Sequence, residues 1–293
     1  MTADLIAPAV LALLTASAGG WLRRRVPPNL AVSLLTLLAV LGAAAVLSAL
    51  ALVVAGGVIG HPHLFERLAW CRLVLVAGHR ASWPVAGSAG VMLLVGLVRA
   101  VRFDVGWRRT VQRYQGLGGV DVLASPEQVA FAAPGKPGTV VVSEGLLDLL
   151  DDDESAAVIA HERAHLVLHH ARYLRVAGLA AAAVPPLLPL SRQLRFATER
   201  AADEGAAVAV GDRRVVARAI ARVALATSPM GVLAVGGSSV AARVAELVDP
   251  PRPRWLPVTA LLAAVVAAVA TVLASTIQVH HLVGFATHVC GLR

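Results

Sequence analysis

Long apolar runs lie near both ends of the chain. Since a helix needs about 17 to 25 mostly apolar residues to cross a bilayer, a run of that length predicts a membrane span. Four runs qualify, and none contains an ionisable residue: Leu5 to Leu22, Leu30 to Gly60, Ala81 to Val98 and Trp255 to Val279. The second run is longer than one span, so we expect it to tilt or to extend beyond the lipid. The pattern predicts three spans within residues 1–98 and a fourth within residues 255–293, followed by a short external tail.

Residues 99–254 are more polar and are numerous enough for one compact domain. Apolar residues recur at helical spacing after Asp151, Asp152 and Asp153, which are candidate N-cap and first-turn residues of a helix. A β-branched run from Thr139 to Val142 predicts a strand. We therefore expect a mainly α-helical, multi-pass membrane protein with one α+β domain that carries a small sheet.

A second apolar segment of this domain, Val176 to Leu190, is interrupted by Pro185, Pro186 and Pro189. The segment is too short for a complete span, and prolines break helices. We therefore expect residues 176–190 to re-enter the membrane or to lie at its interface, which would hold the domain against the lipid.

Arginine placement predicts the orientation, because basic residues close to span ends stay in the cytoplasm. Arg23, Arg24 and Arg25 follow the first run, and this pattern, with Asp4 before the run, favours a retained span over a cleaved signal peptide. Further arginines flank the central domain: Arg99, Arg102, Arg108, Arg109, Arg113, Arg252 and Arg254. The loop 61–80 fits less well, since it would place three arginines outside. The prediction is a cell-membrane protein whose domain faces the cytoplasm.

Composition excludes other classes of protein. The chain is 57% hydrophobic with a mean hydropathy of +0.73, and its net charge of +8 comes almost wholly from arginines beside apolar runs, so we expect no direct nucleic-acid binding. Cys71 and Cys290 are too few for a cysteine-based zinc motif. The predicted topology places both outside, where a disulfide between them is one open alternative.

The strongest candidate site is His161-Glu162-Arg163-Ala164-His165, an H-E-x-x-H pattern on the predicted helix. Residues four apart lie on one helical face, so His161 and His165 can direct ring nitrogens at one ion. Glu162 can then reach a water at that ion without binding the metal. This arrangement is typical of metal-assisted hydrolysis.

A catalytic zinc needs a third protein ligand. The pattern with a third histidine six residues after the second is excluded, because that position is Ala171. We expect His169 and His170 to end the helix, facing its dipole or the lipid headgroups. The better candidate is Glu199, while Asp203, one turn later, can accept a hydrogen bond from the distal nitrogen of a ligating histidine.

The predicted strand also suggests how a substrate is held. We expect Val140, Val141 and Val142 to form an exposed edge strand beside the metal, where an extended substrate backbone can pair with it.

These motifs resemble the membrane-embedded zinc peptidases of gluzincin type, in which H-E-x-x-H is followed by E-x-x-x-D. That group includes the prenyl-protein endopeptidases, the bacterial heat-shock membrane proteases and the BlaR/MecR antirepressors. The resemblance extends over residues 117–250 and is carried by VVVSEGLLDLL, HERAH, ERAAD and SSVAARVAELV. Three spans before the domain and one after it are most similar to the BlaR/MecR arrangement.

The resemblance implies a role for each candidate residue. His161, His165 and Glu199 would bind one zinc per chain, Glu162 would be the base, and Asp203 would support a ligand. Arg243, in the last matching stretch, would help to polarise the scissile carbonyl.

The predicted function is an integral membrane zinc metalloendopeptidase that cuts a protein substrate at the cytoplasmic side, by resemblance a transcriptional repressor. The antirepressors carry the nucleophilic serine of an S-x-x-K motif in an external penicillin-binding domain. In this chain the only lysine is Lys136, and the residue three positions before it is Ala133 instead of a serine. We therefore expect no such sensor here. One alternative is a quality-control protease for membrane proteins. The other is a metal sensor or transporter using external histidines, which the absence of ionisable residues from the spans disfavours. The oligomeric state stays open.

Overall fold

The computed structural model describes residues 26–59, 82–113, 118–227 and 237–250, with the single positions 266, 270 and 277. The first predicted span, all but three positions of the last one, and both cysteines lie outside these ranges.

Two long helices carry the second and third predicted spans. Helix α1 is Pro28–Ile59 and helix α2 is Trp83–Gln112, and both are long and apolar enough to cross a membrane. A Cβ built on Gly57 would meet Ala86, and one on Gly90 would meet Val54, so the end of α1 packs against the start of α2. Outward-facing apolar side chains on α2, such as Met92 and Leu94, are 61% exposed, as expected of a lipid-facing surface. The described residues thus contain two candidate spans.

Three short strands form the small sheet that the sequence predicts. They are β1 (Gly119–Leu123), β2 (Ala130–Ala133) and β3 (Thr139–Ser143), in the order β1-β3-β2. Strand β3 pairs parallel with β1 and antiparallel with β2. The expectation that Val140, Val141 and Val142 form an exposed edge is therefore wrong, because both edges of β3 are paired and all five of its residues are buried.

Six helices complete the described domain. They are α3 (Glu144–Leu147), α4 (Asp152–Val167), α5 (His170–Ala183), α6 (Leu188–Val210), α7 (Arg213–Thr227) and α8 (Gly237–Val248), with a 3₁₀ turn at Pro185–Leu187. The predicted start of α4 is confirmed, because Asp151 accepts from the Glu154 backbone N–H at 2.8 Å and Glu154 accepts from that of Asp151 at 3.3 Å. This reciprocal capping satisfies two N–H groups that the helix leaves unpaired.

The α1 core is the apolar cluster formed where α1 packs against α5 and α6. Its large members Leu35, Leu38, Leu187, Leu190 and Leu194 have no exposed surface. Residues 176–190, the predicted re-entrant or interfacial segment, form the corner between α5 and α6 and supply part of this core.

Helix α2 touches the same corner at close range. A Cβ on Gly96 would lie 2.8 Å from the Ala183 carbonyl oxygen, and one on Gly178 would lie 2.2 Å from the Phe103 ring. Helix α2 therefore continues past the predicted end of its span at Val98 and packs along α5.

The α7 core is a second cluster, formed by α4, α6, α7 and α8. Its buried members are alanines and valines apart from one leucine: Ala157, Ala206, Ala207, Val215, Val216, Ala217, Ala219 and Leu247. Ion pairs accompany these small side chains: buried Glu154 pairs with exposed Arg222, and buried Arg200 pairs with Glu246.

Candidate metal centre and substrate groove

Helices α4 and α6 bring the three predicted metal ligands together. The Nε2 atoms of His161 and His165 are 3.2 Å apart. Glu199 places one carboxylate oxygen 3.6 Å from His161 Nε2 and the other 3.7 Å from His165 Nε2. Gly205 of α6 allows the two helices to approach closely, because a Cβ at this position would lie 2.8 Å from the Cβ of Ala164 on α4.

This donor set fits zinc. Two ligand atoms about 2.0 to 2.1 Å from a tetrahedral ion lie about 3.3 to 3.4 Å apart, close to the three separations observed. Among the described residues, His161, His165 and Glu199 are a group of metal-ligating side chains whose donor atoms all lie within 4.8 Å of one another. Two imidazoles and one carboxylate would leave a fourth position open for water, as in catalytic zinc sites.

Asp203 and Arg243 lie behind His161 and Glu199. The Nδ1 atom of His161 is 2.9 Å from Asp203 Oδ1. Arg243 donates from Nε and Nη2 to the two Asp203 oxygens at 2.8 and 2.7 Å, and its Nη1 lies 3.1 Å from Glu199 Oε2. Helix α8 thus adds a cation that holds both carboxylates in place.

The charges at this side of the site shift several pKa values. Burial alone would lower the pKa of His161, but the carboxylates of Asp203 and Glu199 outweigh it and raise that pKa to about 9. Burial would raise the pKa of Glu199, but His161 and Arg243 lower it to about 2. The pKa of Asp203 is also lowered, since Arg243 and His161 overcome its burial. In the metal-free protein, one histidine is therefore protonated beside two ionised carboxylates.

Glu162 has the opposite environment. Burial raises its pKa above the usual range, against the attraction of His161 and a hydrogen bond with the Ala132 backbone. A carboxylate whose pKa is raised toward neutral pH is a better general base. The contact with Ala132 also fixes Glu162 next to strand β2.

The expectation for His170 is wrong. Helix α4 ends at Val167, and His169 adopts a left-handed conformation at φ 54° and ψ 35°. His169 is exposed, but His170 is only 1% exposed and its Nδ1 atom lies 3.0 Å from His165 Nδ1. Sequence reasoning missed this contact, and the signal for it was the histidine pair that follows the motif after three apolar residues.

A recess of about 750 Å³ leads to the candidate site from the side of α2. One wall is the end of α2, where the Phe103 and Trp107 rings stack with centroids 6.1 Å apart. The other is β2, including Phe131 and Ala132, and both Glu162 and Glu199 line the inner end. Within the described sheet β2 pairs only with β3, and this strand borders the recess where the Ala132 backbone contacts Glu162.

A second recess, of about 420 Å³, reaches the same two glutamates from the other side. Its walls are mostly aliphatic side chains of α4 and α7, among them Val158, Val216 and Ile220, and Arg243 lies at its edge. The two recesses share Ala130, His161, Glu162 and Glu199 as lining residues, so both border the candidate site.

Comparison with known proteins finds similarity over part of the chain. Residues 108–184 match Peptidase family M48, a stretch that contains His161 and His165 but ends before Glu199. The chain is also 30% identical over 133 residues to a "Protease HtpX homolog" of Nostoc sp. (strain PCC 7120). That alignment covers 35% of this chain and 46% of the relative, so the chain spans about half of the relative's length. No solved structure matched the chain. Residues 108–184 are therefore similar to M48 peptidases, and within the described residues the chain also has two apolar helices and the His161, His165 and Glu199 group.

Proposed function

We propose that the protein is a membrane-anchored zinc metalloendopeptidase that hydrolyses peptide bonds of protein substrates at the cytoplasmic side. The observation that carries this proposal is the convergence of His161, His165 and Glu199 beside Glu162 at the junction of two recesses. We assign the first three as ligands of one zinc per chain. These residues would hold the ion, which would supply Lewis-acid chemistry for hydrolysis when bound.

Glu162 performs the proton transfers in this proposal. Its buried carboxylate takes a proton from the attacking water and passes it to the leaving amine, so that one group acts first as base and then as acid. Asp203 holds His161 through Nδ1, which keeps Nε2 free to bind the ion. Arg243 contacts Asp203 and Glu199, so we assign it the positioning of both carboxylates. Because Arg243 also lines the second recess, we propose that it contacts the substrate carbonyl there.

The substrate backbone is proposed to pair with β2 instead of β3. Strand β2 is at the edge of the described sheet and lines the recess beside Glu162, whereas Val140, Val141 and Val142 are enclosed. Pairing with a strand edge orders an extended chain through main-chain hydrogen bonds, which suits cleavage at many sequences.

The substrate itself is a separate proposal. The likeness to the BlaR/MecR antirepressors supports a DNA-binding transcriptional repressor that is cut at the cytoplasmic face within a signalling pathway. A second candidate substrate is a membrane protein removed in quality control. The end of α2 forms a wall of the recess, which favours this candidate because a substrate helix can lie in the lipid beside α2. A metal sensor or transporter remains the non-catalytic alternative.

The first experiment compares the parent with Glu162→Gln. The variant should keep about one zinc per chain while its proteolysis falls by about 10² to 10⁴-fold, because only the proton-transfer group is lost. Glu144→Gln, at an exposed position, is the matched control and should retain full activity. Mass spectrometry of new protein termini in cells carrying each form would identify the substrate. Full proteolysis by the Glu162→Gln protein would overturn the mechanism, and zinc binding without proteolysis in the parent would favour the sensor or transporter.

The second experiment tests the cytoplasmic orientation. In a variant without Cys71 and Cys290, a single cysteine at Ser82, before α2, should react with an impermeant thiol reagent on intact cells. A cysteine at Asp121, on β1, should react only after permeabilisation. The reverse result would place the metal centre outside and remove cytoplasmic proteins as substrates.

A further inference from the structure

His170 lies next to the metal centre only because the chain changes direction before it. On a continuous helix a residue five positions after His165 would point about 140° away from it. Helix α4 instead ends at Val167, and the left-handed His169 turns the chain so that α5 starts at His170. The imidazole of His170 is thereby brought back to His165 and is only 1% exposed.

The contact involves the atom of His165 that faces away from the ligand group. His165 Nε2 is 3.2 Å from His161 Nε2 and 3.7 Å from Glu199, so this atom is on the metal side. His165 Nδ1 is on the opposite side, 3.0 Å from His170 Nδ1. The two rings meet edge to face, at an interplanar angle of 82° with centroids 4.8 Å apart.

A proton must lie between these two Nδ1 atoms. An imidazole that binds a metal through Nε2 carries its proton on Nδ1, and that N–H needs an acceptor when it is buried. His170 Nδ1 can accept only if the His170 proton is on Nε2. The geometry therefore selects one tautomer for each ring.

We propose that His170 is a positioning residue of the metal centre, which accepts a hydrogen bond from His165 Nδ1 and so holds His165 Nε2 toward the ion. This inference rests on the proposed zinc site. The two ligating histidines are then supported differently, His161 by the carboxylate of Asp203 and His165 by a neutral ring. A neutral acceptor avoids another buried anion beside Glu162, Glu199 and Asp203, where it would add repulsion between like charges.

Zinc affinity of the full-length protein in detergent tests this role. His170→Phe keeps a ring of similar size but removes the acceptor, and it should raise the zinc dissociation constant by about 10- to 100-fold. His170→Asn restores an acceptor oxygen and should recover most of the affinity. His169→Asn is the matched control: the position is exposed and asparagine tolerates a positive φ, so its affinity should equal that of the parent.

Several outcomes would overturn the proposal. One is zinc affinity within twofold of the parent in folded His170→Phe, and another is an equal loss in the Phe and Asn variants, which would indicate packing alone. If His170→Phe does not fold, the parent decides the matter by ¹⁵N-histidine NMR of the zinc-loaded protein. His170 must then carry its proton on Nε2, and a proton on its Nδ1 contradicts the inference. Failure of the parent to bind zinc would instead refute the proposed function.

Discussion

The candidate metal centre lies between two cores of different chemistry. Along α6, Glu199 falls between Ala197 and Ala201, which belong to the α1 core, while Ala206 and Ala207 further on belong to the α7 core. The α1 core contains five fully buried leucines, whereas the α7 core contains mainly alanines and valines together with ion pairs that have at least one buried partner. The α1 side of the site is therefore stabilised by the packing of large apolar side chains, whereas the α7 side depends more on ion pairs.

The two histidines show the same difference. His161 is held by Asp203 and Arg243, on the side of the α7 core, while His165 is next to His170 and the start of α5. Packing of apolar groups varies little with pH or salt, but charge pairs respond to both. We therefore expect changes within the α1 core itself to act mainly on stability, and changes to the Asp203 and Arg243 pair to act mainly on the pH dependence of metal binding.

The largest expected effect is the loss of a buried leucine from the α1 core. Leu194→Ala should lower the free energy of unfolding by about 2 to 5 kcal/mol, because the cavity opens where the side chain has no exposed surface. Leu188→Ala, at a position that is 42% exposed, should cost much less. Denaturant unfolding in detergent at low and high salt measures both. A cost below about 1 kcal/mol for Leu194→Ala, or one that changes strongly with salt, would contradict the comparison.

The next effect is the pH dependence of zinc binding. The pKa of His161 is raised to about 9, so below that pH His161 must lose a proton before zinc binds. The pKa of His165 is lowered to about 4, so His165 is already neutral at pH 7. The zinc dissociation constant should therefore fall about tenfold per pH unit from pH 7 toward pH 9, and then level off. Calorimetry in two buffers should show about one proton released per zinc at neutral pH.

Asp203→Asn is the control for this pH dependence. It removes a carboxylate that raises the pKa of His161, so zinc should bind more weakly but release less than one proton at neutral pH. A parent protein that releases no proton, or a variant with an unchanged slope, would show that the two histidines do not differ as the comparison requires.

The smallest expected effect concerns the contact of α2 with α5. Gly96→Ala should destabilise the protein by about 1 to 3 kcal/mol, because its Cβ would lie 2.8 Å from the Ala183 carbonyl oxygen and the backbone there cannot move freely. Gly106→Ala on the same helix has nothing within 4 Å of its Cβ and should be neutral or slightly stabilising. Thermal unfolding of both variants checks this, and equal midpoints would indicate that α2 is not held at Gly96.

The features that local sequence determines were predicted correctly. The start of α4 follows from Asp151 and Glu154 three residues apart, and the shared face of His161 and His165 follows from their spacing. Glu199 and Asp203 were found by the same rule on a second helix, and the structure brings Glu199 to both histidines. The roles assigned to these residues stay predictions.

The features that depend on distant partners could not be obtained in this way. The sequence of β3 predicts a strand but does not state that β1 and β2 pair on both sides of it, so the central strand was mistaken for an edge. His170 was misplaced because helical spacing assumes an unbroken helix, and the left-handed His169 ends it. The β2 segment AFAA has no β-branched residue, so the strand beside Glu162 gave no signal.

Helix α1 has a consequence for the order in which the protein folds. Its first half, including Leu35 and Leu38, completes the apolar core of the domain, while its whole length qualifies as a membrane span. As α1 precedes the domain in the chain, it leaves the ribosome first, and α5 and α6 can bury their leucines only after it is in place. A fragment starting at residue 99 should therefore expose Leu190 and Leu194 and aggregate instead of folding as a soluble domain. Correct placement of α1 would then be a condition for the folding of everything that follows it in the chain.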